Sequence, residues 1–185
     1  MGEQHKKHNR REHLNDFHLN IAGEYVYDGA LYACQNDDAK QRRSKRAVWG
    51  MAAILTVAVA AGGCIPAPGM QNCFYVLLPY LGEFLGAVSV IWALAKLGTD
   101  WGTVREYNYK KSVAVLPVRT AVTAVFSLLG IVCELIFFFV NDHAGQTFFA
   151  LLYVLLKLIA LLSVLVLRAE IMQAEWDKLP KKNNF

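Results

Sequence analysis

The sequence lacks the short motifs that accompany several common kinds of catalysis. It contains no G-x-x-x-x-G-K-[ST] phosphate loop, no H-E-x-x-H zinc pair, no G-x-S-x-G nucleophile turn and no G-x-G-x-x-G dinucleotide pattern. Each of these motifs positions groups on a nucleotide, a metal or an acyl substrate. We therefore expect a non-catalytic protein that uses no cofactor and has no catalytic residues.

Cysteine is also scarce, with four residues at positions 34, 64, 73 and 133. They form no C-x-x-C and no Cys/His set with zinc spacing, so no metal site is predicted. Cys64 and Cys73 flank the loop IPAPGMQN, and they are a candidate disulfide if that loop faces an oxidising compartment. A thiol-redox membrane enzyme is thus a weaker alternative, although the second redox pair of membrane thiol oxidoreductases is missing.

The N-terminal region has no apolar segment of the kind that a secretory signal places near the start of a chain. We expect residues 1–40 to form a cytoplasmic segment that begins as a disordered tail. The stretch GEYVYDGALYAC then favours either a β-hairpin that turns at Asp28-Gly29 or an interfacial helix that lays tyrosines on a membrane surface. The pattern does not decide between these two structures.

Long apolar runs dominate the rest of the chain, in which 55% of all residues are hydrophobic. Runs of this length predict helices that cross a bilayer. The spans are expected at about 47–65, 73–95, 118–140 and 147–167, within a membrane domain covering 41–170 and followed by a cytoplasmic tail at 171–185. Asn36-Asp37-Asp38 provides an N-cap from which one helix runs into the first span. The fold class is therefore an all-α antiparallel bundle of four transmembrane helices.

The net charge of +4 comes from lysines and arginines that crowd beside the apolar runs. The loops IPAPGMQN and NDHAGQ contain neither residue type. This asymmetry is typical of the positive-inside rule and not of a nucleic-acid surface. It predicts a multi-pass protein of the cell membrane with both termini in the cytoplasm, and no nucleic-acid partner.

Three charged residues lie in the interior of the apolar runs, away from their ends. Lys157 lies at the middle of the fourth span, Glu83 in the second and Glu134 in the third. Counted from the outer ends of the helices, Glu83 and Lys157 lie roughly 15 Å deep and Glu134 roughly 9 Å. An isolated charge at such depths is costly, so we hypothesise that Lys157 bridges both glutamates. The surplus negative charge suggests that one glutamate holds a proton or a cation.

Polar and small residues recur along one face of the third span. Thr120, Thr123, Ser127, Gly130 and Glu134 follow one another at spacings of three and four residues. Small and hydroxyl residues commonly form packing seams between membrane helices, and we favour this interpretation. The functional alternative is the wall of a polar pathway that ends at Glu134.

Together these features predict a small non-catalytic membrane protein. We expect a structural or accessory component of a membrane complex, such as a transport complex, or a homo-oligomer, whose partners are the bilayer and another membrane subunit or copy. The alternative from a different class is a small proton- or ion-coupled transporter or channel that works through Glu83, Glu134 and Lys157.

Overall fold

The computed structural model describes residues 17–19, 23, 25–27, 29–98, 101–141 and 147–179. The predicted disordered tail before residue 17, Asp28 of the predicted turn and the end of the C-terminal tail lie outside these ranges. So does most of the loop NDHAGQ.

Four of the six helices in the described ranges are long and apolar enough to cross a membrane. The helices are α1 (Asp38–Cys64), α2 (Pro68–Asn72), α3 (Phe74–Leu97), α4 (Glu106–Lys111), α5 (Leu116–Val140) and α6 (Thr147–Met172). The four predicted spans lie on α1, α3, α5 and α6, apart from an end residue in two cases. The prediction of four long apolar helices is therefore confirmed.

The helix boundaries follow local sequence. α1 begins directly after Asp37, at the predicted N-cap, and continues without a break from its basic first turns into the apolar run. It stops before Ile65, whose extended backbone suits a residue that precedes a proline. α2 starts with Pro68 at its first position, where a missing N–H costs nothing.

The described part of the chain also contains five short strands, so a purely α-helical description needs correction. They are β1 (Phe17–Leu19), β2 (Tyr25–Tyr27), β3 (Leu31–Cys34), β4 (Val104–Arg105) and β5 (Trp176–Lys178). β1 and β2 pair antiparallel, while β3 lies between β4 and β5 in a separate sheet.

The predicted hairpin at Asp28-Gly29 is wrong, because β2 and β3 are not neighbours in either sheet. The interfacial-helix alternative is also wrong for the described residues of this segment, which are strands. β3 instead pairs with one strand from the α3–α5 connection and one from the C-terminal tail. These two partners occupy both of its edges.

The three-stranded sheet fixes the direction of the long helices. β3 precedes α1, β4 precedes α5 and β5 follows α6, so α1 and α5 start at this end and α6 finishes there. The Arg168 guanidinium, near the end of α6, donates to the Pro117 carbonyl at the start of α5. Ser44 of α1 donates to Glu170 of α6 at 2.8 Å. We call this end of the bundle the sheet end and the opposite end, where α2 lies, the far end.

The long helices form a closed ring in the order α1, α3, α5, α6. Near the sheet end the core contains large side chains such as Leu94, Leu116 and Leu167, with Trp101 beneath the sheet. A second apolar cluster around Leu55 and Val164 lies between α1, α3 and α6. The buried charged residues occupy the remaining part of the interior.

Candidate functional site

Lys157 and Glu83 form a buried ion pair in the bundle interior. The Lys157 ammonium contacts Glu83 Oε2, and the two side chains are almost completely excluded from solvent. Each residue lies near the middle of its helix and belongs to its buried face. On α3 that face includes Pro79, Ala87 and Val90, while bulky residues such as Leu85 point outward. The distribution of side-chain size along α3 therefore turns Glu83 inward.

Ser127 of α5 completes the coordination of Glu83. Its hydroxyl donates to Glu83 Oε1 at 2.8 Å, while Oε2 accepts from Lys157. Both carboxylate oxygens thus have a partner, which is the condition under which a buried charge is tolerated. We call Lys157, Glu83 and Ser127 the buried triad. It joins three of the four long helices.

Two aromatic rings enclose the ammonium of the triad. The Lys157 Nζ atom lies 4.7 Å from the Tyr80 ring centroid and 5.2 Å from that of Tyr153. Ring faces attract cations at such distances, more strongly when both are desolvated. Gly130 lies on a third side, where a Cβ atom would be 3.6 Å from Nζ. Lys157 is therefore held by a carboxylate, two rings and a glycine.

Glu134 does not join this ion pair, so the expected bridge from Lys157 to both glutamates forms on one side only. Glu134 lies seven residues beyond Ser127 on α5, which is about 10 Å along the helix axis. The Lys157 ammonium is bonded to Glu83, and it makes no hydrogen bond to Glu134 in the described structure. Lys157 and Glu134 still interact electrostatically across the interior.

Glu134 is nevertheless fully buried. Neither of its carboxylate oxygens has a hydrogen-bond partner among the described residues. The backbone amide of Gly69 in α2 interacts with the carboxylate, although this contact falls outside normal hydrogen-bonding geometry. A Cβ atom at Gly69 would overlap the Glu134 carboxylate, so only glycine allows α2 to lie this close. Sequence reasoning missed this role of Gly69, because no local pattern reveals a contact made in the folded chain.

The polar face predicted on α5 is buried, and its members divide into two groups. The Thr120 hydroxyl donates to the Leu116 carbonyl at 2.9 Å, and that of Thr123 donates to the Arg119 carbonyl at 2.8 Å. Both hydroxyls are thus satisfied within their own helix, as in a packing seam. Ser127 instead belongs to the buried triad, and Gly130 lies against Lys157. The face is therefore a seam near the sheet end and part of the charged site further along.

Cys64 and Cys73 both carry free thiols in the structure. Cys64 is exposed at the end of α1, and Cys73 lines an open groove of about 700 Å³ between α3 and α5. The groove is lined mainly by apolar side chains, including Leu78 and Leu129. This arrangement gives the thiol-redox alternative no support. Within the described part of the chain, no group of three His, Cys, Asp or Glu residues is placed to hold a metal ion.

Comparisons of the chain with protein-family models, curated proteins and solved structures gave no match.

Proposed function

We propose that the chain is a non-catalytic, multi-pass integral membrane protein that assembles with other membrane-embedded chains. The exposed faces of its long helices support the membrane assignment. Phe74 of α3, Phe139 of α5 and Leu151 of α6 are all more than half exposed, and they belong to a larger set of outward-facing apolar side chains. In water such a surface would aggregate, whereas in a bilayer it faces lipid.

The orientation follows from the basic residues. Among the described residues, every lysine and arginine except Lys157 belongs to the sheet end of the bundle. These residues are Lys40, Arg42, Arg43, Lys45, Arg46, Lys96, Arg105, Lys110, Lys111, Arg119, Arg168 and Lys178. The positive-inside rule assigns this end to the cytoplasm. Both termini then lie on the cytoplasmic side of a cell membrane.

The observation that carries the assembly proposal is the exposed face of α1. Gly50, Ala53, Val57 and Ala60 follow at helical spacing, and all four point away from the bundle. A Cβ atom at Gly50 would meet nothing within 4 Å. We call these four residues the small-residue face. Since none of them is larger than valine, a second helix can approach the α1 backbone closely along this line.

The other long helices present a different surface. The outward rows of α3 and α6 consist largely of bulky side chains, such as Leu81, Leu85, Leu155 and Leu162. Large side chains suit contact with lipid, while small residues are enriched where membrane helices pack together. The small-residue face is not used within the bundle, so it suits contact with a helix of another chain. That chain is either a second copy or a subunit of a larger complex, such as a transport complex.

The buried triad supports a structural role over a catalytic one. Glu83 has both oxygens occupied, and Lys157 is enclosed by the carboxylate and two rings. A group that is already fully coordinated and excluded from solvent is poorly placed to bind a substrate. It is well placed to fix the order and register of three helices, because mispairing would leave a charge unpaired.

Purification in a mild detergent tests the assembly proposal. The native mass and composition of the particle are measured by mass spectrometry for the unmodified chain, for Ala53→Phe and for Val125→Phe. Val125 is an exposed residue on α5 and serves as the matched control. We expect a defined homo-oligomer or a stoichiometric second protein, weakened by Ala53→Phe and retained by Val125→Phe. A monomeric unmodified chain, or equal effects of the two variants, would contradict the proposal.

A second candidate function is proton- or ion-coupled transport. The observation that favours it is Glu134, a buried carboxyl group without a hydrogen-bond partner in the described structure. Intramembrane acids of this kind often mark proton pathways. This candidate predicts a pH-driven flux in proteoliposomes that Glu134→Gln abolishes. An unchanged flux in that variant would exclude a transport role for Glu134.

A further inference from the structure

The two buried glutamates occupy very different surroundings. Glu83 receives an ammonium and a hydroxyl, as an ionised carboxylate requires. Glu134 is equally buried, but neither of its oxygens makes a hydrogen bond of normal geometry within the described ranges, and the Gly69 amide is the one donor found beside it. An isolated carboxylate in an apolar interior loses its hydration without replacement, and such groups ordinarily become neutral instead. The surroundings of Glu83 and Glu134 therefore favour different protonation states.

The titratable groups around Glu134 do not replace that hydration. α2 contributes none, because its sequence is PGMQN. The titratable groups that interact with Glu134 are Lys157 and Tyr153 of α6 and Tyr75 near the start of α3. Lys157 is the sole cation in this set, and its ammonium is bonded to Glu83. Tyr153 offers no compensating hydrogen bond in the described structure, since its hydroxyl is also without a partner.

We propose that Glu134 is a proton-binding site and that the folded protein holds it as the neutral acid at neutral pH. A metal cation is a poorer occupant, because alkali and alkaline-earth ions need several oxygen ligands at short range. A single carboxyl group beside the Gly69 backbone does not supply such a set. A proton needs one oxygen only. This inference goes beyond the assembly role and does not depend on which chain the protein assembles with.

The site lies near the far end of the bundle, beneath α2. Ala67, Pro68 and Gly69 are buried, so this segment covers Glu134 on the side away from the sheet. Glu134 is six residues from the end of α5, about 9 Å along the helix. Glu134 therefore lies closer to the far end of the bundle than to the sheet end. In the proposed orientation the far end is the outer side of the membrane.

Infrared spectroscopy of the purified protein at neutral pH tests the proposal directly. A protonated carboxyl group gives a carbonyl band that is separate from the carboxylate bands and shifts in heavy water. We expect this band in the unmodified protein and in Glu175→Gln, a matched change at an exposed glutamate, and its loss in Glu134→Gln. Absence of the band from the unmodified protein, or its persistence in Glu134→Gln, would overturn the proposal. Loss of the band on adding sodium chloride would show a cation site instead.

A labelling experiment on the unmodified chain avoids any dependence on how a variant folds. Dicyclohexylcarbodiimide reacts with protonated carboxyl groups in apolar surroundings, and peptide mass spectrometry locates the adduct. We expect Glu134 to be modified at neutral pH, Glu83 to be protected by its ion pair, and the yield at Glu134 to fall at alkaline pH. Modification of Glu83 with none at Glu134 would reverse the assignment.

Discussion

Lys157 and Glu83 are 74 residues apart in the chain, yet they form an ion pair at the centre of the bundle. The pair connects α6 with α3, which are not adjacent in the ring of helices. Ser127 of α5, the helix between them, donates to the same carboxylate. The triad thus links three helices at one level, and it can form only when all three have the correct order and depth.

Removal of one partner of this pair should destabilise the fold strongly. Lys157→Met leaves the Glu83 carboxylate buried without a counter-charge, which typically costs about 3 to 5 kcal/mol. The double variant Lys157→Met/Glu83→Gln removes both charges and should lose less. Unfolding in mild detergent, measured for both single variants and the double variant, gives the coupling energy of the pair.

The exposed pair Lys110–Glu106 on α4 provides the matched control. Lys110→Met should cost less than about 1 kcal/mol, because exposed ion pairs contribute little. A structural role for the buried pair would be refuted if Lys157→Met were as mild as this control. It would also be refuted if the double variant lost as much as both single variants combined.

Ser127→Ala should weaken the triad without removing a charge. The substitution deletes the hydrogen bond to Glu83 Oε1, and bonds to charged groups contribute about 1.5 to 3 kcal/mol. Thr123→Val is the matched control, because the Thr123 hydroxyl bonds within its own helix. We expect a clear loss of thermal stability for Ser127→Ala and a smaller one for Thr123→Val. In a Lys157→Met/Glu83→Gln background, Ser127→Ala should cause a smaller loss of thermal stability. An equal loss in that background would show that Ser127 does not act through the triad.

Gly69→Ala should displace α2 or Glu134. The added methyl group would overlap the Glu134 carboxylate, so the variant should be less stable than the unmodified chain. Gly62→Ala is the control, since the new methyl group would lie at an ordinary contact distance of 3.9 Å from the Tyr153 ring and alanine favours a helix. Adding Glu134→Ala should recover part of the loss at Gly69, because the shorter side chain leaves room. Additive losses in the double variant would show that the two residues do not touch.

The unfolding temperature should depend on pH through Glu134. In the unfolded chain a glutamate ionises above about pH 4.3, whereas the folded protein is proposed to keep the proton. Unfolding then releases a proton, so stability falls as the pH rises. Glu134→Gln cannot ionise and escapes this loss. The unfolding temperature of the variant should be higher than that of the unmodified chain, and the difference should grow from mildly acidic to alkaline pH. A difference that does not change with pH would contradict the proton site at Glu134.

The sequence predicts the long helices well, because each consists of an apolar run that has few alternatives to spanning a bilayer. It also predicts that Lys157 needs a buried acid. It does not distinguish Glu83 from Glu134 as that acid, since the choice depends on how α3 and α5 rotate against α6. In the structure Glu83 is the partner of Lys157, and Ser127 donates to the same carboxylate. This arrangement depends on the relative positions of three helices.

Sequence patterns do not predict the three-stranded sheet. β5 is three residues long, and Trp176, Asp177 and Lys178 show no periodicity that would set them apart from a polar tail. Its register is fixed by pairing with β3 and by aromatic packing nearby. The ring centroids of Tyr109 and Tyr32 are 4.1 Å apart, and those of Trp176 and Trp101 are 6.2 Å apart. Elements this short are decided by tertiary contacts and not by local preference.

Cysteine cross-linking in native membranes shows whether the small-residue face of α1 contacts another membrane chain. In a background with all four native cysteines replaced by serine, Ala53→Cys is compared with Val125→Cys on α5 after treatment with a membrane-permeant bis-maleimide. We predict a discrete adduct for Ala53→Cys, either a dimer of this chain or a complex with one other protein, and little adduct for Val125→Cys. Equal adducts at the two positions, or none at Ala53→Cys, would show that this face of α1 does not contact another chain.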